Sequence, residues 1–286
     1  MPTSEPQGST GSESISSGSD PVEGTLSVSI WRRSIRRVRV PRAVISIVVG
    51  LAIWEAVVRM FDISSFALVP PSEIVREFRV VIEQGLLWEH LQISLHSLIL
   101  GLSLSALIAI PLGLAAGTFR AMREYTDPWI LALYATPMVA FAPLIIISLG
   151  FGVQAKTAVV AFACFFPIVI NTTAGVRAVD KDLIEVGTAF KASHWESFRW
   201  IALPGAAPFI FAGLRLAVGR GVVGLVVADL FGARAGLGLF LLQSSQSFNI
   251  SRVFVAASVL AILGVTFTFL IAQIERRTLR WRPADD

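Results

Sequence analysis

Six long apolar segments limit what this chain can fold into. A helix of about 20 mostly apolar residues crosses the hydrocarbon core of a bilayer. Composition points the same way, since 54% of the residues are hydrophobic and 15% are charged, against about 25% charged in soluble domains. The sequence therefore predicts an all-α, polytopic integral membrane protein with six transmembrane helices. The predicted spans are 43–61, 91–118, 128–149, 156–176, 208–230 and 253–273.

The distribution of Lys and Arg predicts the orientation of these spans. Cytoplasmic loops of membrane proteins carry an excess of both residues. Sixteen of the 24 lie in segments on the amino-terminal side of the bilayer, including six arginines between positions 32 and 42, and six lie on the opposite side. We therefore expect a multi-pass protein of the bacterial plasma (inner) membrane with both termini in the cytoplasm. Because the basic residues gather at the ends of apolar runs, nucleic-acid binding is not expected.

Four segments follow one another along the chain. Residues 1–30 are rich in Ser, Gly, Glu and Pro and are expected to form a disordered cytoplasmic tail. They do not resemble a signal peptide, because mostly polar residues precede the first apolar run. Residues 31–89 hold the basic segment, the first span and an external loop. Five spans occupy 90–274, and 275–286 form a cytoplasmic carboxy-terminal tail.

The loop 177–205 is the longest predicted cytoplasmic connection. Acidic residues at its start favour a helix that runs to about Lys191. Ser193 followed by Glu196 is a capping-box pattern that starts a second helix, and Pro204 is expected to end it before the fifth span. The pattern predicts two short helices with a bend before Ser193. Such a loop either docks on a partner protein or rests on lipid headgroups.

This loop resembles the cytoplasmic "EAA" loop of permeases from binding-protein-dependent ABC importers. The family pattern has an acidic residue, small residues after it, and later an apolar residue followed by Leu-Pro. Lys191 stands at the position of the usual central glycine. The positions that match are Glu185, Gly187, Ala189, Ala192, Ile201, Leu203 and Pro204.

The resemblance extends from about residue 50 to the end and narrows to the branch that imports nitrate, sulfonates and taurine. At the start of the second span His90, Ser94, Leu95 and Gly101 match that branch, and Ser97 replaces an Arg. Four further segments are similar to it: LVPPSEIVREF (68–78), TPMVAFAPLIIISLGFG (136–152), FFPIVINTTAGVRAVD (165–180) and GLGLFL (236–241).

The resemblance implies a type I ABC importer permease fold, with 90–274 as the permease domain. It also implies a second permease copy in a homodimer, an ABC ATPase subunit and an extracytoplasmic solute-binding protein. A phosphate-binding loop contains a Gly followed directly by a Lys, and this sequence has no such pair. We therefore expect that this chain is not an enzyme and binds no cofactor, and that the partner ATPase binds ATP-Mg. The residues expected to couple to the ATPase are Glu185, Gly187, Thr188, Ala189, Lys191, Ala192, Ser193 and Pro204.

Polar residues inside the spans are candidates for the pathway, because they are costly in hydrocarbon. Arg220 is expected to contact an anionic solute, and Arg215 to reach the headgroups or support the loop. Asn171 either bonds to another helix or lines the pathway. Pro137 and Pro143 leave backbone carbonyls in the third span without a hydrogen-bond donor. Because such carbonyls are tolerated only next to protein or water, this span is expected to line the pathway.

Other residues in the spans are expected to serve structure. Asp229 is placed to pair with Arg234 near the outer end of the fifth span. Gly113 and Gly117 form a G-x3-G pattern that favours close helix packing. Cys164 is expected to be a small buried apolar residue. No His, Cys, Asp and Glu cluster with metal-ligand spacing occurs, so no metal site is predicted.

The predicted function is import of a small, anionic solute such as a sulfonate, taurine or nitrate. Two alternatives remain: an ion-driven secondary transporter, and the same permease class importing a non-anionic organic solute. Internal repeats with broken helices would favour a secondary transporter, and the sequence shows no such repeat. An embedded enzyme is disfavoured because no Ser, His and Asp arrangement can be argued. The sequence does not identify the solute, since the external binding protein selects it in this family.

Overall fold

A computed structural model describes residues 39–64, 66–231 and 234–279, and in these ranges every regular element is helical. The all-α prediction is confirmed for this part of the chain. The predicted tail 1–30, most of the arginine cluster and the end of the carboxy-terminal tail lie outside it. The helices are α1 (Arg39–Met60), α2 (Pro71–Glu83), α3 (Leu86–Thr118), α4 (Arg120–Ala135), α5 (Met138–Leu149), α6 (Val153–Arg177), α7 (Lys181–Ala189), α8 (His194–Ser197), α9 (Leu203–Leu230), α10 (Leu237–Gln246) and α11 (Ile250–Thr278).

The chain divides into two units, with the boundary inside α1 between Ile53 and Trp54. The described part of the first unit is α1 up to Ile53. The second unit contains the end of α1 and all of α2 to α11.

The second unit is built around α6, which packs against α3 on one side and α9 on the other. Small residues let α3 approach closely. A Cβ atom on Gly113 would lie 2.6 Å from the Cβ of Thr172, and one on Gly117 would lie 2.5 Å from the Cβ of Val176. Real Cβ atoms do not approach this closely, so glycine is required for the observed distance between the helices. The predicted close packing at Gly113 and Gly117 is confirmed.

The contact between α6 and α9 also depends on a glycine at the point where the helices approach closely. A Cβ atom on Gly221 would lie 2.8 Å from the Sγ of Cys164. Cys164 is fully buried and donates to the carbonyl of Ala217 at 3.3 Å. Its predicted role as a small buried residue is confirmed.

Four helices in the described residues are long and apolar enough to cross a membrane. They are α3, α6, the continuous helix His194–Leu230 that contains α9, and α11. The count rises to five if the bent pair α4 and α5 is one span. The integral membrane class is confirmed, and the count of six spans stays a prediction.

The third predicted span, 128–149, is not one straight helix. Helices α4 and α5 meet at 99°. The break lies at Thr136 and Pro137, where Thr136 has extended backbone angles (φ −77°, ψ 131°). Proline disfavours the helical conformation in the residue before it and has no N–H to donate. Pro137 therefore caps α5 at the break between the two helices, and Pro143 lies within α5. The role of both prolines in a pathway wall stays a prediction.

Pro204 does not end a helix, contrary to the prediction. The chain stays helical from His194 to Leu230 through a π-helical turn, Phe198–Ala202. In this turn Leu203 donates its backbone N–H to the carbonyl of Phe198, five residues back. The wider turn accommodates Pro204 in the first turn of α9.

Candidate functional site

The loop 177–205 contains the short helix α7 and the start of a second helix, α8, as predicted, but α8 continues into α9 and does not end within the loop. Asp180 caps α7, since its Oδ1 accepts from the backbone N–H of Asp182 at 3.0 Å. At α8 the backbone N–H of Glu196 donates to Ser193 Oγ at 3.2 Å, and the N–H of Ser193 donates to Glu196 Oε2 at 2.8 Å. This reciprocal pair confirms the capping box. Helix α7 ends at Ala189, earlier than the predicted end near Lys191.

The bend between the two helices is centred on Lys191. This residue adopts the left-handed conformation with φ +58°. Its backbone N–H donates to the carbonyl of Thr188 at 2.9 Å, and the N–H of Ala192 donates to the carbonyl of Gly187 at 3.0 Å. Helices commonly end in such a turn, usually with glycine at the left-handed position. The bend of the family pattern is therefore retained although a lysine replaces the glycine.

One side of the loop is packed and another is open. A Cβ atom on Gly187 would lie 3.0 Å from the Cδ1 of Ile201, so α7 rests closely on the helical stretch before α9. Several large apolar side chains exposed within one short segment are typical of an interaction site. Large apolar side chains that this loop exposes are Leu183, Ile184, Val186, Phe190, Trp195 and Trp200.

Arg220 lies on an exposed face of α9. Its guanidinium carbon is 5.7 Å from the centroid of the Tyr134 ring, and its Nη2 donates to Tyr134 Oη at 3.4 Å. Leu216 and Val223 are exposed on the same helix, and a Cβ atom on Gly219 would meet no atom within 4 Å. The face around Arg220 is therefore open in the single chain, with the cation held against an aromatic ring.

Arg215 has a different environment. Its guanidinium forms an ion pair with Glu275 of α11, and both side chains are partly buried. Arg215 and Arg220 therefore contact different helices, α11 and α4 respectively. The structure thus adds a link between α9 and α11, and the expectation that Arg215 reaches the headgroups or supports loop 177–205 stays a prediction.

Asn171 makes no bond to another helix in the described structure. Its Nδ2 donates to the carbonyl of Pro167, one turn earlier in α6, at 2.7 Å. Short polar side chains often bond back to the preceding turn of their own helix. The bond between helices is made by Thr173, whose Oγ1 donates to the carbonyl of Gly113 in α3 at 3.3 Å. Within the described chain Thr173, and not Asn171, therefore makes the bond to another helix, and the pathway role of Asn171 stays a prediction.

A buried ion pair lies at the other end of α6, away from loop 177–205. Asp229 pairs with Lys156 and not with Arg234, which corrects the prediction. Lys156 is 4% exposed and Asp229 is 0% exposed. Lys156 Nζ also donates to the carbonyl of Ala235 at 3.1 Å, and the N–H of Gly238 donates to Asp229 Oδ2 at 3.0 Å.

The same segment is bound to α3. The backbone N–H of Gly236 donates to His90 Nδ1, and that of Leu237 donates to Ser94 Oγ, each at 2.9 Å. Gly236 has φ +146°, and a Cβ atom there would lie 2.5 Å from Asp229 Oδ2. Residues 234–238, which we name the hairpin clasp, thus hold α3, α6 and α9 together. The sequence signal for this pair is the presence of opposite charges at the outer ends of the fourth and fifth predicted spans.

No cluster of three or more His, Cys, Asp and Glu side chains occurs among the described residues. What remains are three separate features: an exposed two-helix loop, an arginine on an open helix face and a buried clasp at the opposite end. None of them is a catalytic arrangement.

The fold is that of ABC transporter permeases. The chain is similar to a solved structure of the MetNI methionine ABC transporter in inward-facing conformations, with a TM-score of 0.60, 18% identity, and 68% of this chain and 96% of that chain covered. A crystal structure of an amino acid ABC transporter with histidines gives a TM-score of 0.55 at 18% identity, covering 70% and 97%. At these identities the likeness concerns the fold.

The sequence profile of the family "Binding-protein-dependent transport system inner membrane component" matches residues 109–280. The chain belongs to this family and is an ABC transporter permease subunit.

Three relatives are similar over most of their length. The taurine transport system permease protein TauC of Escherichia coli (strain K12) is 32% identical, covering 88% of this chain and 93% of its own. A protein of Bacillus subtilis (strain 168) with the provisional name aliphatic sulfonates transport permease protein SsuC is 34% identical, covering 81% and 84%. The riboflavin transport system permease protein RibX of Chloroflexus aurantiacus is 32% identical, covering 83% and 88%.

Proposed function

We propose that this chain forms the translocation pathway of an ABC importer for a small anionic solute, in which loop 177–205 couples the pathway to the ATPase. The observation that carries the proposal is the geometry of the loop. Helices α7 and α8 are held at a fixed bend, and α7 packs against Ile201 at Gly187. Large apolar side chains of the loop are exposed. An ATPase with a matching cleft would bury those side chains.

The same proposal gives the chain its partners and location. An ATPase subunit binds ATP-Mg and docks on loop 177–205, and an extracytoplasmic binding protein delivers the solute on the other side. A second copy of this chain completes the pathway as a homodimer. The subunit lies in the bacterial inner membrane with both termini in the cytoplasm, as the excess of Lys and Arg on that side supports.

An anionic solute is supported by Arg220. The residue places a permanent positive charge on an open face of a membrane-spanning helix, which is costly unless it serves a partner or a ligand. Tyr134 orients the guanidinium. Taurine and aliphatic sulfonates, named for two of the relatives, carry a sulfonate group that an arginine binds well. RibX, named for riboflavin, favours the non-anionic organic solute as the second candidate.

Transport of the solute by the reconstituted complex tests this proposal. Permease, ATPase and binding protein are placed in proteoliposomes, and uptake of a radiolabelled alkanesulfonate and of riboflavin is measured with and without ATP. ATP-dependent uptake of the sulfonate supports the anionic pathway, and uptake of riboflavin alone contradicts it. Uptake that needs no ATPase would instead indicate a secondary transporter.

Variants of Arg220 test its place in the pathway. Arg220→Ala is expected to reduce sulfonate uptake with normal amounts of assembled complex, and Arg220→Lys to retain part of it. Arg215→Ala is the matched control at the same helix, and it is expected to lower assembly or ATPase coupling because it breaks the pair with Glu275. Unchanged uptake by Arg220→Ala would remove Arg220 from the pathway.

A further inference from the structure

Lys191 occupies a backbone position that suits glycine. Its φ of +58° lies in the left-handed region, which a Cβ atom disfavours. The turn requires this conformation, since the bonds from Lys191 to Thr188 and from Ala192 to Gly187 close only when the chain reverses here. A glycine would make the same turn without strain. The presence of lysine is therefore not explained by the backbone.

The side chain of Lys191 is not part of the packing between α7 and Ile201. It is exposed and makes no hydrogen bond or ion pair within the part of the chain that the structure describes. Behind it, Ser193 and Glu196 are bonded to each other and Gly187 rests on Ile201. Beside it, Phe190 is 83% exposed. The bend between α7 and α8 thus exposes a cation, Lys191, next to an aromatic ring, Phe190, and the flanking residues are held in place by hydrogen bonds and packing.

We propose that Lys191 binds a carboxylate on the ATPase subunit and so contributes to the choice of ATPase. This inference rests on the proposed docking of loop 177–205 to that subunit. Strained left-handed conformations in residues other than glycine persist where function requires the side chain. Phe190 would enter the apolar part of the cleft while the ammonium of Lys191 pairs at its rim.

A carboxylate on a protein fits the loop better than an anionic lipid headgroup does. Segments that bind anionic bilayers carry a clear excess of basic residues on one face. Loop 177–205 has four basic residues (Arg177, Lys181, Lys191 and Arg199) and four acidic residues (Asp180, Asp182, Glu185 and Glu196). A loop without net charge has no net electrostatic attraction to an anionic bilayer. A single exposed cation such as Lys191 can still pair with one carboxylate on a protein partner.

Substitutions at position 191 separate the backbone role from the charge. Lys191→Gly relieves the strain and removes the charge, Lys191→Gln keeps the stem and removes the charge, and Lys191→Arg keeps the charge. If only the backbone matters, the glycine variant binds the ATPase at least as well as the wild type. The proposal predicts instead that the Gly and Gln variants both lose affinity and that the Arg variant keeps it.

The measurement is the dissociation constant of the purified ATPase subunit of the same transporter for the permease in phosphatidylcholine nanodiscs. We expect Lys191→Gly and Lys191→Gln to bind roughly three- to tenfold more weakly at low salt. The difference from the wild type should shrink as salt rises, because salt screens the pair. Arg199→Gln is the matched control, since Arg199 is an exposed cation of the same loop that lies over Trp200.

The outcomes are distinguishable. If the wild-type permease does not bind the ATPase, the proposed function fails whatever Lys191 does. If the wild type binds and Lys191→Gln binds equally well at low salt, the inference about Lys191 is overturned. It is also overturned if the loss appears only in nanodiscs that contain phosphatidylglycerol, because Lys191 would then contact headgroups. Recovery of Lys191→Glu by a Glu-to-Lys change in the ATPase cleft would support the pair directly.

Discussion

Removing one partner of the buried pair between Lys156 and Asp229 should strongly destabilise the permease. Asp229→Asn keeps the shape of the side chain and its acceptor for the N–H of Gly238, but it leaves the ammonium without a counter-charge. Both side chains are almost fully buried, at 4% and 0% exposure. The carbonyl of Ala235 would be the remaining hydrogen-bond acceptor that the described structure gives Lys156.

The size of the effect follows from this burial. Breaking a buried ion pair on one side costs about 3–5 kcal/mol, because the other charge stays buried and unpaired. At about 2–4 °C per kcal/mol for a chain of this size, the apparent melting temperature should fall by about 6–20 °C. Lys156→Met combined with Asp229→Asn removes both charges, and it should recover more than half of that loss.

Thermal unfolding of the detergent-purified permease measures this difference. The control is Arg120→Gln, which breaks an exposed pair with Glu124 whose side chains are 84% and 60% exposed. An exposed pair contributes about 1 kcal/mol or less, so the control should melt within a few degrees of the wild type. If Asp229→Asn melts like the wild type, or if the double variant loses the sum of the two single losses, the clasp is not held by this pair.

Three further predictions follow from the fold. Gly113→Val should cost about 1–3 kcal/mol by forcing α3 away from α6, seen as a lower melting temperature, whereas Gly219→Ala meets no neighbour and should melt normally. Ser193→Ala should remove the capping box and cost α8 about 1 kcal/mol, so amide exchange in α8 should speed up about fivefold. Reporter fusions at Glu73 should report the outer face and fusions at Thr188 the cytoplasm, and a cytoplasmic signal at Glu73 would refute the topology.

Local signals in the sequence predicted the features whose causes are local. The capping box of Ser193 and Glu196 depends on residues three positions apart, so its pattern is visible in the chain. Long apolar runs likewise predicted the membrane class. The close approach at Gly113 and Gly117 was predictable because a G-x3-G pattern lets another helix come near.

Features that depend on distant contacts were not predictable in this way. Asp229 pairs with Lys156 because α6 and α9 pack side by side, while Arg234 lies nearer in the sequence. The outcome at Pro204 depends on a π-helical turn that precedes it, and proline alone does not reveal that turn. The residue pattern predicted a bend before Ser193, but the left-handed conformation of Lys191 was not predictable because lysine seldom adopts it.

The most direct test of the coupling proposal is the ATPase activity of the reconstituted complex. Gly187→Trp would push α7 away from Ile201 and so disrupt the docking surface without altering the core of the bundle. We expect the wild-type complex to hydrolyse ATP faster when solute and binding protein are added. The variant should reach the membrane in normal amount and show no such stimulation. Full stimulation in the variant would contradict the proposal that loop 177–205 links the pathway to the ATPase.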